Sequence, residues 1–127
     1  MIAGIGVDIV ENKRIKLLIK NDKFVERVFS KNEKLSSKKI KNKVNFFSKR
    51  YAAKEALSKA LGTGIGKGIN FKDISVKNDK FGKPYYELNS YVKKAIFNSY
   101  RVKKFKISLS LADEKKYSIA FSVIQIW

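Results

Sequence analysis

The sequence predicts an α+β fold in which a long central helix packs against a largely antiparallel sheet. An alanine-rich segment at residues 44–61 has the composition of one helix, and Gly62 follows it where a glycine commonly ends a helix. Residues 105–111 and 117–123 alternate large apolar residues with polar or small ones on either side of a charged turn. This alternation is typical of a β-hairpin with one buried face.

The elements before the central helix are shorter. Residues 2–10 form the first predicted strand, and Gly4 and Gly6 mark a place where another element packs close to its backbone. A helix with apolar residues at helical spacing is expected next, followed by a second one that Asp22 is placed to cap. Ser30 and Glu33 have the spacing of a capping box, which predicts the start of a third helix.

After the central helix, residues 62–68 are rich in glycine and are predicted to form a loop. Residues 74–76 and 84–88 are expected to form two strands joined by a turn, and a further helix is expected around Val92 and Ile96. The chain shows no linker and no internal repeat. We therefore expect its 127 residues to form a single domain.

Composition limits the chemistry. The chain contains neither histidine nor cysteine, so acid–base or metal chemistry must use Asp, Glu, Lys or Tyr. No apolar run approaches the roughly 18 residues of a membrane span. The N-terminal segment lacks the basic region of a signal peptide. A soluble cytoplasmic protein without a membrane partner is the expectation.

The net charge of +18 favours a polyanionic partner. Nucleic acid is one candidate, although lysine outnumbers arginine 25 to 4 and the lysines are spread along the chain. A phosphorylated ligand or an acidic protein would benefit from the same field. Charge alone does not choose among them.

The central helix carries the strongest chemical signal. Glu55 and Lys59 lie four residues apart, so they project from one face, and neighbouring alanines leave room beside them. Such a face could hold a metal ion and a phosphate, or it could be an ordinary exposed ion pair. Asp8, at the end of the first strand, is either a helix cap or a ligand. Together with Glu55 it would supply the one or two carboxylates that Mg²⁺ prefers.

The glycine-rich loop does not fit a Walker phosphate loop. Its spacing is one residue short, Gly68 stands in place of the hydroxyl residue, and the loop follows a helix instead of a strand. The glycines either allow a nucleotide to approach the backbone or simply stop the helix and form a tight turn.

Four segments in order, residues 4–11, 47–60, 62–66 and 82–84, resemble the holo-acyl-carrier-protein synthases, the small bacterial branch of the 4′-phosphopantetheinyl transferases. The resemblance implies that family's fold and activity. The family transfers 4′-phosphopantetheine from coenzyme A to a serine of apo-acyl carrier protein and releases adenosine 3′,5′-bisphosphate. It also implies a homotrimer in which each active site lies between neighbouring subunits.

The resemblance carries roles onto matching residues. Asp8 and Glu55 are the implied Mg²⁺ ligands, and Lys59 is implied to meet the pyrophosphate; these three form the implied catalytic group. The general base is left open between Glu55 and a metal-held water relayed through Asp8. The remaining implied positions are Arg50, Gly62 and Gly64 beside the nucleotide, Pro84 beside the pantetheine, and Arg14 and Arg27 on the face that docks the carrier protein.

One position departs from the family pattern. Leu111 stands where family members usually have a histidine near the nucleotide 3′-phosphate. Ser108 and Ser110 remain as hydrogen-bond donors, and the sequence does not identify which lysine compensates. The competing interpretation is a basic RNA- or ribosome-binding module without catalysis, in which Glu55 is an incidental surface acid.

Overall fold

A central helix, α4, lies against a three-stranded antiparallel sheet in the computed structural model, which describes residues 1–62 and 69–127. The strand order in this sheet is β1-β5-β4, and a second antiparallel pair is formed by β2 and β3. In chain order the strands are β1 (Ile2–Glu11), β2 (Ile74–Asn78), β3 (Pro84–Leu88), β4 (Phe105–Asp113) and β5 (Tyr117–Ile126). The predicted α+β class and its antiparallel pairing are confirmed.

The helices are α1 (Asn12–Leu18), α2 (Asp22–Val28), α3 (Lys31–Ser37), α4 (Lys43–Leu61) and α5 (Ser90–Tyr100). The predicted capping box at Ser30 and Glu33 is present at the start of α3. The cap of α2 is Asn21, not Asp22, because the Asn21 side chain accepts hydrogen bonds from the amides of Lys23 and Phe24. Asp22 is the first helical residue, where its negative charge meets the positive end of the helix dipole.

Close packing between β1 and α4 requires the two glycines of β1. A Cβ atom on Gly6 would lie 1.9 Å from the carbonyl oxygen of Ala56, and one on Gly4 would lie 2.0 Å from that of Ala60. No side chain fits at such distances without moving the backbone. The predicted close approach is confirmed, and it brings the next inward residue of the strand, Asp8, beside α4.

The central strand β5 turns an unexpected face to the helix. Its buried residues include Ser118, Ala120 and Ser122, each 0% exposed, whereas the larger Ile119 and Phe121 are at least 40% exposed. The expectation that the large alternating residues face the core is therefore wrong for β5. It holds for β4, where Leu109 is buried. The reason is the closeness of α4 along residues 118–122, where small side chains fill the space beside the helix; further along the same face, the larger Ile124 is also buried.

The opposite face of this sheet is apolar and uncovered. The outward residues of β1 pair with those of β5 in register, Ile5 with Val123, Val7 with Phe121 and Ile9 with Ile119. The three β1 residues are more than half exposed. A contiguous apolar surface of this kind is typical of a protein interface.

Helix α4 is surrounded by other elements along most of its length, and eleven of its residues are buried. One core cluster joins α4 to α1, α2 and the sheet, and a second joins it to β3, α5 and the far end of the sheet. Within the described residues, no helix has the length and hydropathy needed to cross a membrane.

Candidate active site

Lys59 and Asp8 meet where α4 crosses β1. Lys59 Nζ donates a hydrogen bond to Asp8 Oδ1 at 3.2 Å and another to the carbonyl oxygen of Val7 at 3.0 Å. The Asp8 side chain is 15% exposed and that of Lys59 is 56% exposed. Lys59 therefore pairs with the strand acid, and the described residues contain no Glu55–Lys59 ion pair.

Glu55 shares its helical face with Tyr51 and Lys59, each four residues away. Burial raises the pKa of Tyr51, the negative charges of Glu55 and Asp8 raise it further, and Arg14 opposes them. Lys59 contacts Asp8 and lies one turn after Glu55 on α4, so Asp8 faces the side of the helix that carries Glu55. Two carboxylates with room for water and phosphate oxygens suit Mg²⁺. The described residues contain no cluster of three or more acids.

Arg50 projects from a different face of α4. It is 6% exposed, its Nη2 atom donates to Asn78 Oδ1 at 2.7 Å, and its Cζ atom lies 3.7 Å from the centre of the Phe46 ring. Burial lowers the pKa of Arg50, with Glu33 opposing the shift. Its Nε atom has no hydrogen-bond partner within residues 1–62 and 69–127. That atom is buried, so the missing partner lies inside the protein.

A cavity of about 380 Å³ brings Arg50, Pro84 and Leu111 together. Lys49 and Asp113 also line it, with Lys49 Nζ 3.5 Å from Asp113 Oδ1. Three positions that the resemblance assigned to one ligand thus share a cavity. Ser110 lies in an adjoining depression of about 480 Å³ that also includes Pro84 and Leu111.

The residues around this cavity do not include the acidic group. Asp8, Glu55 and Lys59 line neither the cavity with Arg50 nor the depression with Ser110. Gly62 ends α4 in a left-handed conformation with φ +75°, as predicted. Gly64 lies outside the described residues.

Arg14 and Arg27 flank a pair of aromatic side chains. Arg14 Cζ lies 5.9 Å from the centre of the Tyr51 ring, and Arg27 Cζ lies 6.0 Å from the centre of the Phe24 ring. The centres of these rings are 6.0 Å apart. The two arginines therefore border the acidic site on one side of the molecule. Arg27 also lines a depression together with Lys23 and Lys72.

The sequence did not single out the buried partners of this region. Lys54, next to Glu55, is 0% exposed and pairs with Glu33, which is 2% exposed. Lysine is rarely buried, so the residue type of Lys54 predicted an exposed side chain. The one available signal was the capping box, which placed Glu33 at the first turn of α3. Tyr51 was also not predicted as a site residue, because an aromatic residue in a helix usually belongs to the hydrophobic core.

The sequence matches the model of the 4′-phosphopantetheinyl transferase superfamily over residues 4–122, and the chain belongs to this superfamily. It is similar to the holo-[acyl-carrier-protein] synthase of Pelagibacter ubique, with 53% identity over 98% of this chain and 97% of that protein. Within the superfamily, the chain is thus a member of the holo-[acyl-carrier-protein] synthases, which are enzymes.

Solved structures agree. The crystal structure of the synthase from Neisseria meningitidis superposes with a TM-score of 0.89 at 37% identity, covering 98% of this chain and 99% of that one. The synthase from Bacillus anthracis, solved in complex with coenzyme A (3′,5′-ADP), has a TM-score of 0.83 at 38% identity, covering 100% and 99%. The fold predicted from the sequence is the fold of this family.

Proposed function

We propose that the protein transfers 4′-phosphopantetheine from coenzyme A to a serine of an apo-acyl carrier protein in a Mg²⁺-dependent reaction that releases adenosine 3′,5′-bisphosphate. The observation that carries this proposal is the meeting of Asp8 and Lys59 at 3.2 Å, on the helical face that also carries Glu55. Family membership supports the reaction class. This proposal replaces the alternative interpretation of the chain as an RNA- or ribosome-binding module without catalysis.

Asp8 and Glu55 would hold the cation. A bound Mg²⁺ would neutralise phosphate charge and support the departing bisphosphate. The attack of a serine hydroxyl on the β-phosphorus needs positioning and charge neutralisation more than covalent help from the protein. Lys59 is more than half exposed, so its ammonium can leave Asp8 and contact the pyrophosphate.

The cavity around Arg50 would take the nucleotide end of coenzyme A. Arg50 is stacked on Phe46 and held by Asn78, so its remaining donors are preorganised for a phosphate. Leu111 offers no donor where the family usually has histidine. We assign the charge that this histidine would supply to Lys49 and Arg50, which line the same cavity as Leu111. Pro84 would border the pantetheine arm, and Ser110, in the adjoining depression beside Leu111, would remain a hydrogen-bond donor for the nucleotide end.

We further propose that the protein is a homotrimer. The acidic group and the Arg50 cavity share no lining residue, so each is one part of a divided site. The apolar outer face of the β1-β5-β4 sheet offers a surface for a second copy. Arg14 and Arg27, beside the acidic site, would dock the acidic carrier protein. A cytoplasmic location and a role in fatty acid biosynthesis follow from the same proposal.

Mass spectrometry of a carrier protein tests the function. The protein is incubated with coenzyme A, Mg²⁺ and apo-acyl carrier protein, and we expect the carrier to gain one phosphopantetheine. Glu55→Gln and Asp8→Asn should abolish the gain while leaving the fold intact, and Glu87→Gln, an exposed acid on β3, should not. No gain with any bacterial carrier would contradict the enzyme proposal. Full activity of Glu55→Gln or Asp8→Asn would refute the metal assignment.

A further inference from the structure

Glu33 and Lys54 form the most buried ion pair of the described residues. Lys54 Nζ lies 2.6 Å from Glu33 Oε1, and the two side chains are 0% and 1% exposed. In each of the other ion pairs at least one side chain is more than a quarter exposed. A pair so completely removed from water needs a full set of hydrogen bonds.

That set of hydrogen bonds joins five elements. Lys54 Nζ also lies 2.9 Å from the carbonyl oxygen of Val28, 2.9 Å from that of Phe71 and 2.6 Å from that of Ile74. Glu33 Oε1 accepts from the amide of Ser30, and its Oε2 accepts from the amide of Val76 at 3.0 Å. The pair thus ties α4 to the end of α2, the start of α3, the short helical turn Phe71–Asp73 and β2.

Stability alone is a weak reason for such a pair. Burial lowers the pKa of Lys54, and Glu33 opposes that shift, so the ion pair works against a desolvation penalty. Apolar residues of similar size often replace buried ion pairs with no loss of stability. What apolar contacts do not supply is direction. An ammonium with fixed acceptors sets both the rotation and the axial position of its helix.

Lys54 precedes Glu55 in α4, and adjacent helical residues point about 100° apart. The rotation fixed at Lys54 therefore decides where the Glu55 carboxylate points. On the other side of the helix, the contact of Gly6 with Ala56 sets the distance to β1, which carries Asp8. The two anchors together determine how the two carboxylates face each other.

We propose that Glu33 and Lys54 are positioning residues that hold α4 at the rotation at which Glu55 and Asp8 share one cation. The inference rests on the proposed function, because it takes Asp8 and Glu55 as the metal ligands. Neither Glu33 nor Lys54 contacts substrate or cation. Their effect on the reaction passes through Glu55.

The test separates positioning from charge balance. Lys54→Met leaves Glu33 buried without its partner, whereas the double variant Glu33→Gln/Lys54→Met removes both charges and should be more stable than the single one. Mn²⁺ affinity is measured by electron paramagnetic resonance, without turnover, and unfolding is followed in urea. We expect Mn²⁺ affinity to fall about tenfold in both variants, the scale typical of residues that orient metal ligands.

Ile96→Ala is the matched control, since Ile96 is buried in the second core cluster on α5. It should lower stability and leave Mn²⁺ affinity unchanged. Wild-type Mn²⁺ affinity in the double variant, or an equal loss in Ile96→Ala, would overturn the inference. If the double variant does not fold, Glu33→Gln alone is tested in the same way and with the same expected loss.

Failure of the inference is distinguishable from failure of the proposed function. Glu55→Gln in the wild-type background should lose Mn²⁺ binding and transfer together. If it does so while the double variant binds Mn²⁺ normally, the function stands and the positioning role is wrong. If Glu55→Gln keeps Mn²⁺ binding, the metal assignment fails, and the positioning role fails with it.

Discussion

Lys59 Nζ lies 3.2 Å from Asp8 Oδ1, so the ammonium occupies the carboxylate that we assign to a cation. Lysine and cation compete for the same negative charge, and their mutual repulsion favours only one of them at this oxygen. The exposed lysine is the partner that can move. Cation binding and the delivery of Lys59 to the pyrophosphate are therefore coupled.

The first prediction concerns Lys59→Met. Loss of a cation that stabilises developing phosphate charge should lower kcat/KM for coenzyme A about 10²- to 10³-fold. Mn²⁺ should bind the free variant at least as tightly as it binds the wild type, because the competing ammonium is gone. Steady-state kinetics and Mn²⁺ titration measure the two effects. Lys94→Met, an exposed charge change on α5, serves as control. Weaker Mn²⁺ binding in Lys59→Met would contradict the competition.

The second prediction concerns Gly6→Ala. The new Cβ atom would lie 1.9 Å from the carbonyl oxygen of Ala56, so β1 and α4 must separate. We expect a loss of unfolding free energy of about 1–3 kcal/mol or more, the usual range for overpacking, with weaker Mn²⁺ binding as Asp8 moves from Glu55. Urea unfolding and Mn²⁺ titration measure both.

The control is Gly82→Ala. Unlike Gly6, Gly82 has no neighbour within 4 Å of an added Cβ, so its φ of +85° makes backbone strain the only cost of the substitution. It should lower stability without altering Mn²⁺ affinity. Equal Mn²⁺ affinities in Gly6→Ala and the wild type would show that strand spacing does not set the acidic site.

The fold was predictable wherever a pattern of neighbouring residues is enough to define a secondary-structure element. The glycines of β1, the capping box of α3 and the glycine after α4 each depend on neighbouring residues, and each prediction matches the structure. The face of β5 was not predictable in this way. Alternation gives two faces, and only the small gap between α4 and the sheet decides that Ala120 and Ser122, not Phe121, point inward.

The roles of the site residues stay predictions, and the structure shows only which of their side chains meet. The family resemblance singled out Asp8, Glu55 and Lys59, and the contact between Asp8 and Lys59 is present. Lys54 and Glu33 could not be paired from the sequence, because they are 21 residues apart and their contact depends on the packing of α3 against α4. The charge of Arg50 gave no sign of its burial on Phe46.

The third prediction concerns the apolar sheet face. Ile5 is 62% exposed and pairs with Val123 near the middle of that face. A carboxylate buried there by a second copy would be strongly unfavourable. Ile5→Asp should therefore convert a trimer of 14.6 kDa chains into monomers in sedimentation velocity.

Transfer activity should be lost with the trimer. In the proposed trimer the Arg50 cavity of one copy and the acidic group of its neighbour form one site, and dissociation would separate them. Tyr91→Asp, an exposed aromatic change on α5, is the matched control and should leave assembly intact. A wild-type protein that sediments as a monomer at assay concentrations and still transfers phosphopantetheine would refute the shared site.

The fourth prediction concerns stability at high pH. Tyr86, on β3, donates a hydrogen bond to the carbonyl oxygen of Ala53 at 2.6 Å and shares another with the hydroxyl of Ser122. Burial raises the pKa of Tyr86 far above the ordinary value of 10.0. Below pH 10 the folded and the unfolded protein both keep the phenol proton, so the free energy of unfolding does not depend on this group. Above it the unfolded state releases the proton while the folded state retains it, and each pH unit costs up to about 1.4 kcal/mol of unfolding free energy.

Tyr86→Phe should remove this loss. At neutral pH the variant should be less stable by about 1–3 kcal/mol, because the Ala53 carbonyl loses its buried donor. From about pH 9 to about pH 11 its stability should fall less steeply than that of the wild type, since the lysines titrate equally in both proteins. Urea unfolding across this range measures the difference. Identical slopes would mean that Tyr86 ionises in the folded protein as easily as in the unfolded chain.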